Sequence, residues 1–472
     1  MSRLRYNHGG RRRSQLVFGA ALREAVGLFA CALVLRSKNC AAGGKRWKRL
    51  RTMRRKKRRL AGVERKDGFL MLTLKDIEQA RAKMKGIVHE TPLEHSQTFS
   101  RLSGNEVYMK LENLQKTGSF KVRGSFNKIM SLTDEERARG VIAASAGNHA
   151  QGVAYASSML HIPCTIVMPK GAPLSKIEAT KSYGAEVVLH GDVFDESLEY
   201  ALELQRKRGM TFVHPFDDLA VIAGQGTIGL ELIEQLPDVD VVLCPVGGGG
   251  LLAGLAFTLK QLKPSIDVYG VESSACPGMT AAIRHKQPVA IAASDTIADG
   301  IAVKKPGNLT YQYIEQYVDG VVCVEEAEIS RTMLYLLERN KLLVEGSAAC
   351  PVAALLYQKL PFRGKKVAAV LSGGNVDVTL ISRIIERGLV EAGRFVTFTT
   401  VISDKPGQLN KLLRIIAELE ANVMSIHHQR IGAKVLPGQA EIHFSLETKN
   451  EDHIQQIYQV LLKKGYDVQF SR

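Results

Sequence analysis

Short runs of apolar and β-branched residues alternate with helical stretches through most of the chain, and this alternation limits the possible folds more than any other feature. The runs are residues 107–111, 140–144, 164–168, 185–189, 241–244 and 367–371. Stretches with helical periodicity, such as residues 196–208 and 226–236, separate them. This alternation predicts βαβ units in mainly parallel sheets with helices on both faces, which is the α/β class.

The sequence pattern changes after Arg387, which indicates a second, smaller domain. A strand-like run at 395–402 leads through the turn at 403–407 to a helix with one apolar face. Two strand-like runs, a second helix that ends at Gly465 and a last short run complete the order βαββαβ. That order is typical of a ferredoxin-like domain. We therefore predict one domain at 71–387, a linker at 388–394 and a domain at 395–472.

The net charge of +17 is concentrated at the beginning of the chain. Residues 1–70 hold 21 of the 64 Lys and Arg residues but only 3 of the 47 Asp and Glu residues. The remaining residues carry a net charge of −1. The charge of the whole chain is therefore no evidence that the larger part binds nucleic acid or an anionic membrane.

Residues 1–70 are predicted to be a disordered basic extension, because their charges repel and their apolar periodicity is weak. A transit peptide, which is Arg-rich and acid-poor, is one interpretation. A nucleic-acid-binding arm is another, although Trp47 is the one tryptophan available for stacking. The interpretation we favour is that the mature protein begins at Met71, because Thr73 can cap a helix directly after it.

The cysteine pattern and the apolar runs exclude several classes of protein. The seven cysteines form no CxxC pair, which argues against structural zinc and against a disulfide scaffold. The apolar run near the start, residues 25–35, has 11 residues, short of the ~20 that a membrane span needs. We therefore predict no membrane association and a cytoplasmic protein, or an organellar one if residues 1–70 are a transit peptide.

Four consecutive glycines, Gly247 to Gly250, follow the strand-like run that ends at Cys244. Glycines free the turn of side chains, so that backbone N–H groups next to a helix N-terminus can hold a phosphate. One or two glycines would be enough for a tight turn alone. The pattern matches neither the Walker motif nor GxGxxG.

Two further turns follow predicted strands and contain Ser, Gly and Asn. One comprises residues 145–152, where a helix is predicted to begin near Asn148, and the other comprises residues 372–375. Ligands of open parallel sheets bind at the carboxyl ends of the strands, so all three turns are expected in one site. Lys121 stands in the sequence Ser-Phe-Lys-Val-Arg, and a lone lysine is more often a solvated surface residue.

Taken in this order, Ser119-Phe120-Lys121, Ser-Ala-Gly-Asn-His at 145–149, the tetraglycine and Ser-Gly-Gly-Asn at 372–375 resemble the threonine/serine dehydratases. These are pyridoxal-phosphate enzymes of the tryptophan-synthase-β type. Pro-Phe-Asp-Asp at 215–218 also resembles that family. The C-terminal part, with Asp-Lys-Pro-Gly-Gln-Leu at 404–409, resembles an ACT regulatory domain. The combination is similar to the threonine ammonia-lyases with one C-terminal ACT domain.

The resemblance implies fold type II, pyridoxal phosphate as cofactor and a role for each matching residue. Lys121 matches the catalytic lysine that forms the Schiff base with the cofactor. The implied cofactor-binding residues are Lys121, Phe120, Asn148, Gly247, Gly248, Gly249, Gly250, Leu251, Glu345 and Ser372. The implied substrate-binding residues are Ser145, Ala146, Gly147, Asn148 and His149.

Two departures from the family pattern refine the expectation. Relatives that racemise serine carry Ser where this chain has Ala146, which argues against racemisation. Relatives that bind a divalent cation carry a second acidic residue after the one matched by Glu272, and this chain lacks it. We therefore predict no metal site and interpret Glu272 as a remnant ligand or a plain loop acid. His214, His427 and His428 are expected to be structural.

The resemblance implies threonine deamination, with serine dehydration as a side activity, in isoleucine biosynthesis or threonine breakdown. An amino acid, isoleucine or valine, is the expected effector of the ACT domain, and a dimer or tetramer is the expected assembly. Two alternatives stay open: serine or hydroxyaspartate deamination by the same fold, and nucleic-acid binding by residues 1–70.

Overall fold

The computed structural model describes residues 71–431 and 435–471, so the predictions about residues 1–70 lie outside the described part of the chain. The helices are Leu74–Met84 (α1), Gln97–Ser103 (α2), Lys121–Met130 (α3), Asp134–Arg139 (α4), Asn148–Met159 (α5), Leu174–Ser182 (α6), Phe194–Arg208 (α7), Leu219–Gln235 (α8), Gly250–Leu262 (α9), Gly278–His285 (α10), Asn308–Tyr317 (α11), Glu326–Tyr335 (α12), Gly346–Leu356 (α13), Val378–Glu391 (α14), Gln408–Glu418 (α15) and Glu451–Lys463 (α16). The strands are Leu93–His95 (β1), Glu106–Leu111 (β2), Val141–Ala144 (β3), Cys164–Met168 (β4), Glu186–Leu189 (β5), Thr211–Phe212 (β6), Val241–Pro245 (β7), Asp267–Ser273 (β8), Gly320–Val324 (β9), Lys366–Leu371 (β10), Phe395–Ser403 (β11), Asn422–Gln429 (β12), Gln439–Glu447 (β13) and Val468–Ser471 (β14).

Two parallel sheets form the larger part of the fold. One has six strands in the order β1-β2-β10-β7-β8-β9, and β1 alone in it runs antiparallel to its neighbour. The other has four parallel strands in the order β5-β4-β3-β6. The four-stranded sheet is built from residues between β2 and β7, so the chain leaves the large sheet and returns to it. The predicted α/β class with mainly parallel sheets is confirmed.

The central strands are continuous apolar runs because helices cover both of their faces. Every residue of β3, β4 and β7 is buried, as are all residues of β10 after its first. Their side chains belong to extended apolar clusters that also include residues from the covering helices. Within the described residues, no helix combines the length and the apolar character required to cross a bilayer.

The C-terminal domain is a four-stranded antiparallel sheet in the order β12-β13-β11-β14, with α15 and α16 packed on one face. Strand β11 alternates between buried and more exposed positions, as expected for a sheet covered on one side. The buried rings of Phe398 and Phe444 stack in its centre with their centroids 5.1 Å apart. The predicted order βαββαβ is confirmed.

Two sequence-based boundaries differ from the structure. The helix expected at 226–236 begins at Leu219, because Gly224 and Gly226 lie at close helix contacts instead of at a helix start. A Cβ at Gly224 would lie 2.5 Å from the carbonyl oxygen of Arg123. The linker expected at 388–394 is helical as far as Glu391, since α14 continues through it and Gly388 packs against Leu334.

The first described helix has the predicted cap. The Thr73 hydroxyl accepts the Asp76 N–H, and the Asp76 carboxylate accepts the Thr73 N–H at 2.7 Å. This capping box satisfies two of the N–H groups that a helix start leaves without partners. Leu72 is tied to the large domain as well, because its N–H donates to the Tyr313 hydroxyl at 2.8 Å.

Candidate functional site

A cleft of about 840 Å³ lies where the carboxyl ends of strands from both parallel sheets meet. Strand β3 leads into it from the small sheet, and β7 and β10 lead into it from the large sheet. Each of the catalytic, cofactor-binding and substrate-binding residues expected from the sequence lines this cleft: Phe120, Lys121, Ser145, Ala146, Gly147, Asn148, His149, Gly247, Gly248, Gly249, Gly250, Leu251, Glu345 and Ser372. The structure therefore brings the three glycine-rich turns and the lysine together.

Lys121 is the first residue of α3 and is positioned by contacts with the end of β10. The Phe120 N–H donates to the Ser372 carbonyl at 3.1 Å, and a β-bridge joins Ser119 to Gly373. The Lys121 Nζ donates to the Pro215 carbonyl at 2.9 Å and lies 5.3 Å from the centroid of the Phe120 ring. Burial lowers the pKa of Lys121 to about 8, against the opposing effect of Glu345. Its amine is thus neutral far more often than that of a surface lysine.

The tetraglycine forms a turn in which added side chains would overlap with neighbouring residues. A Cβ at Gly248 would lie 2.3 Å from the Phe216 ring, and Gly249 has a φ of +101°, in the left-handed region that favours glycine. Helix α9 begins at Gly250, directly after this turn. The free N–H groups of a helix start and the positive end of its dipole make this turn suitable for a phosphate group.

Asn148 and Glu345 are joined in a hydrogen-bonded group across the cleft. The Asn148 amide donates to Glu345 Oε2 at 2.8 Å and accepts from the Asn375 amide at 2.7 Å. The Ser347 hydroxyl donates to Glu345 Oε1 at 2.6 Å. Burial raises the pKa of Glu345 despite these donors, so its carboxyl group is more easily protonated than a surface glutamate.

The turn at 145–149 connects β3 to α5, and the helix begins at Asn148 as expected. Its backbone N–H groups lie at a helix N-terminus that lines the cleft, a position suited to a carboxylate. The His149 ring is buried and its Nε2 lies 2.8 Å from the Val213 carbonyl. Burial and the Lys121 charge lower the pKa of His149 to about 3, so this imidazole is neutral and donates to that carbonyl.

Comparison with known proteins agrees with this geometry. Residues 84–373 match the family described as pyridoxal-phosphate dependent enzyme, and residues 396–465 match the ACT domain. The chain belongs to the pyridoxal-phosphate-dependent enzymes. It is 53% identical over 398 residues to an L-threonine ammonia-lyase of Thermotoga maritima, covering 84% of this chain and 99% of that protein.

Two solved structures of this enzyme family are also similar to the chain. The processed form of threonine deaminase isoform 2 from Solanum lycopersicum is 37% identical, with a TM-score of 0.63, over 69% of this chain and 90% of that one. The serine racemase of Dictyostelium discoideum is 40% identical, with a TM-score of 0.62, over 65% of this chain and 99% of that one.

The residues of this pyridoxal-phosphate-dependent enzyme fit its cofactor. The glycine turn has space and N–H donors that would suit the phosphate, and the half-buried Lys121 has an amine that would suit the aldehyde. The buried Ser372 follows β10 and lines the same cleft. Bound pyridoxal phosphate supplies an electron sink for the α-carbon of an amino acid.

Glu272 has a role that neither sequence interpretation included. Its buried carboxylate accepts the N–H groups of Met279 and Thr280 at 2.6 and 2.9 Å and the Thr280 hydroxyl at 2.7 Å. It therefore caps the start of α10. These hydrogen bonds from a helix start explain how the Glu272 carboxylate can be buried, because a buried polar group needs partners.

Sequence reasoning missed Ser347 and assigned no role to Asn375 or to the backbone carbonyl of Pro215, although both stand in motifs that it named. All three contact predicted site residues, and their roles depend on long-range contacts. A side-chain ion pair between Lys176 on α6 and Asp299 also lines the cleft, with Nζ and Oδ2 3.0 Å apart. The Pro-Phe-Asp-Asp segment was the one signal in the sequence that pointed to this part of the cleft.

Proposed function

We propose that this enzyme deaminates L-threonine to 2-oxobutanoate and ammonia, with L-serine as a weaker substrate. The observation that carries the proposal is the 53% identity to an L-threonine ammonia-lyase along 99% of that relative's length. The arrangement of the cleft supports it, because an amine of lowered pKa faces a phosphate-binding turn and a carboxylate-binding helix start.

Lys121 is the proposed catalytic base. Its amine, about half of which is neutral at pH 8 because burial lowers its pKa to about 8, takes the proton from the α-carbon of the substrate. Gly247 to Leu251 would hold the cofactor phosphate, and Phe120 would pack beside the ring. Asn148 would bind the ring oxygen and Ser372 would lie at the ring nitrogen. A hydroxyl there would not hold a proton on that nitrogen as a carboxylate would, which would favour loss of the β-hydroxyl.

The substrate carboxylate is proposed to bind the N–H groups of residues 145–149. These groups lie at the start of α5, where a negative charge is stabilised. Ala146 has no side chain that could donate or accept a proton on the second face of the substrate. This residue argues for elimination and against racemisation, although one similar structure is a serine racemase.

The C-terminal domain is proposed to bind isoleucine or valine and to change the activity of the catalytic domain. The candidate site comprises the first turn of the ACT domain, residues 404–409, and the facing strands. Asp404 in this turn accepts from Arg430 Nε at 2.7 Å and lies 3.9 Å from His428 Nε2. A dimer or tetramer is proposed, because ACT domains commonly pair. The cysteine pattern supports a reducing compartment such as the cytoplasm, and the pathway is isoleucine biosynthesis or threonine breakdown.

A turnover assay tests the proposal. The purified holoenzyme is incubated with L-threonine, L-serine or 3-hydroxyaspartate, each with and without isoleucine or valine, and the oxo acid and ammonia are measured. We expect the highest kcat/KM for threonine and a change with at least one effector. A higher kcat/KM for serine or hydroxyaspartate would contradict the proposed substrate, and racemised amino acid would contradict the role of Ala146.

A further inference from the structure

The segment His214–Asp217 forms a tight turn that is held by an imidazole nitrogen. His214 Nδ1 accepts the N–H of Phe216 at 3.2 Å and the N–H of Asp217 at 2.8 Å. A nitrogen that accepts two N–H groups cannot carry a proton, so the ring is the neutral tautomer protonated at Nε2. The geometry is that of an Asx turn, in which a side-chain acceptor binds backbone N–H groups two and three residues later.

Each of the next three residues contacts a different part of the cofactor site. The Pro215 carbonyl accepts from Lys121 Nζ at 2.9 Å. The Phe216 ring lies against Gly248, where an added Cβ would be 2.3 Å away. The Asp217 carboxylate accepts the first three N–H groups of α11, from Asn308, Leu309 and Thr310, at 3.0, 2.9 and 3.0 Å.

The contacts of Asp217 return to the tetraglycine through α11. The Thr310 hydroxyl donates to the Gly248 carbonyl at 2.6 Å, and a Cβ at Gly249 would lie 2.9 Å from the Thr310 side chain. The turn therefore touches the phosphate-binding loop twice, directly through Phe216 and indirectly through Asp217. The Lys121 amine is held by Pro215, the residue between His214 and Phe216.

We propose that His214 is a positioning residue for cofactor binding and catalysis, whose Nδ1 lone pair fixes the turn that aligns Lys121 with the phosphate-binding loop. The inference rests on the proposed function only for its turnover measurement. The ring is surrounded by Phe212 and Phe216, with centroids 6.2 and 4.7 Å away.

The charges around His214 are consistent with a neutral ring. Burial lowers the pKa of His214; Asp217 and Asp218 oppose this effect, and Lys121 on α3 adds to it. The other titratable neighbour, His149 on α5, is itself neutral. Protonation of Nδ1 would place a donor opposite two N–H donors, so the neutral ring is the form compatible with this turn.

Two substitutions separate the acceptor from the bulk of the ring. In asparagine Oδ1 is bonded to Cγ as Nδ1 is in histidine, so His214→Asn keeps an acceptor near the same position. His214→Leu puts a methyl group there and leaves two N–H groups unpaired. Because these partly buried N–H groups would lose their acceptor, we expect His214→Leu to weaken pyridoxal phosphate binding by about tenfold or more. His214→Asn keeps an acceptor for these N–H groups, so its affinity for pyridoxal phosphate should stay within about threefold of that of the unchanged protein.

The measurements are absorbance titration of the apoprotein with pyridoxal phosphate, and kcat and KM for threonine with saturating cofactor. We expect His214→Leu to alter the visible absorbance of the bound cofactor and to lower kcat more than it raises KM. The control is His453 of the ACT domain, whose Nδ1 accepts the Lys449 N–H at 3.1 Å and whose ring is more deeply buried than that of His214. His453→Leu should lower Tm without changing the cofactor absorbance.

Three results would overturn the proposal. Equal losses of cofactor affinity in His214→Asn and His214→Leu would show that the acceptor is not what matters. Unchanged cofactor affinity and absorbance in His214→Leu, with lowered Tm alone, would show a purely structural role. A spectral change in His453→Leu of the same size would show that loss of any such histidine produces it. The cofactor titration does not use threonine, so failure of the proposed substrate leaves this test intact.

Discussion

Replacing Gly248 by alanine tests whether the phosphate-binding turn depends on close contact with Phe216. The added Cβ would lie 2.3 to 2.4 Å from three carbon atoms of the Phe216 ring, whereas ordinary contacts begin near 3.4 Å. The backbone at Gly248 lies outside the left-handed region, so steric overlap is the main cost of the substitution. The ring or the turn must therefore move by about 1 Å.

Overpacking of this kind costs about 1–3 kcal/mol. Because the displaced groups are the phosphate-binding turn and the Phe216 segment that holds Lys121, we expect this energy to reduce cofactor affinity. The expected loss of affinity for pyridoxal phosphate is about fivefold to a hundredfold. It is measured by titrating the apoprotein and following the absorbance of the bound cofactor, with circular dichroism to establish that the variant is folded.

The control is Gly171→Ala, which makes the same chemical change where no atom lies within 4 Å of the new Cβ. This variant should bind the cofactor as the unchanged protein does. A second variant, Gly248→Ala with Phe216→Ala, removes the ring that the new methyl group meets. If the overlap causes the loss, the double variant binds better than the sum of the two single effects predicts. Strict additivity, or full affinity in Gly248→Ala, would refute the reasoning.

Three further predictions concern Lys121 and the charges beside it. Lys121→Ala should abolish both turnover and the visible absorbance of the bound cofactor, and retained activity would refute its assignment as the catalytic base. The pKa of Lys121 is about 8, and the neutral amine is the form that attacks the cofactor aldehyde. The rate of cofactor uptake by the apoprotein should therefore rise with pH and level off above about pH 8. A rate that continues to rise up to pH 10 would contradict the effect of burial on this pKa. Arg123→Met leaves the buried carboxylates of Glu112 and Glu231 without their shared partner and should lower the free energy of unfolding by about 3–5 kcal/mol. The exposed pair Arg81 and Glu234 is the control, because Arg81→Met should cost at most about 1 kcal/mol in the same denaturant titration, and equal losses would contradict the argument.

Part of the site could be predicted from local patterns. The turn at 145–149, the tetraglycine and Ser372 each follow the end of a strand, and parallel strands bring such ends to one edge. These patterns predicted the three turns in one site, whereas Lys121, Phe120 and Glu345 were assigned from the family resemblance, and the role of each residue stays a prediction. The same reasoning gave the order of elements in the ACT domain.

Contacts between distant parts of the chain could not be predicted. Asp217 caps a helix that begins some 90 residues later, and no spacing rule relates the two. The early start of α8 was missed because glycine disfavours helix interiors. Tertiary packing overrides that preference here, since the close approach of α3 requires a residue without a Cβ at Gly224.

A buried group of four charges was also beyond sequence reasoning. Arg123 forms bidentate hydrogen bonds with Glu112, at 2.9 and 2.8 Å, and also binds Glu231. Lys110 Nζ donates to Glu231 Oε2 at 2.6 Å and to the Thr91 carbonyl at 2.6 Å. Taken singly, each of these residues would be assigned to the surface. The group has two positive and two negative side chains and is therefore neutral overall.

This neutral group explains how Lys121, the proposed catalytic lysine, can lie two residues from a buried arginine. On a helix, residues two positions apart are rotated by about 200° about the axis and lie on nearly opposite sides, so Lys121 faces the cleft while Arg123 faces the interior. The carboxylates of Glu112 and Glu231 compensate the guanidinium charge, and burial is accordingly the main cause of the lowered Lys121 pKa. The ion pairs fix α3 from the interior side, and the carbonyl of Pro215 holds the amine from the cleft side. The fold therefore sets the position of the reactive nitrogen through paired charges, and its reactivity through burial.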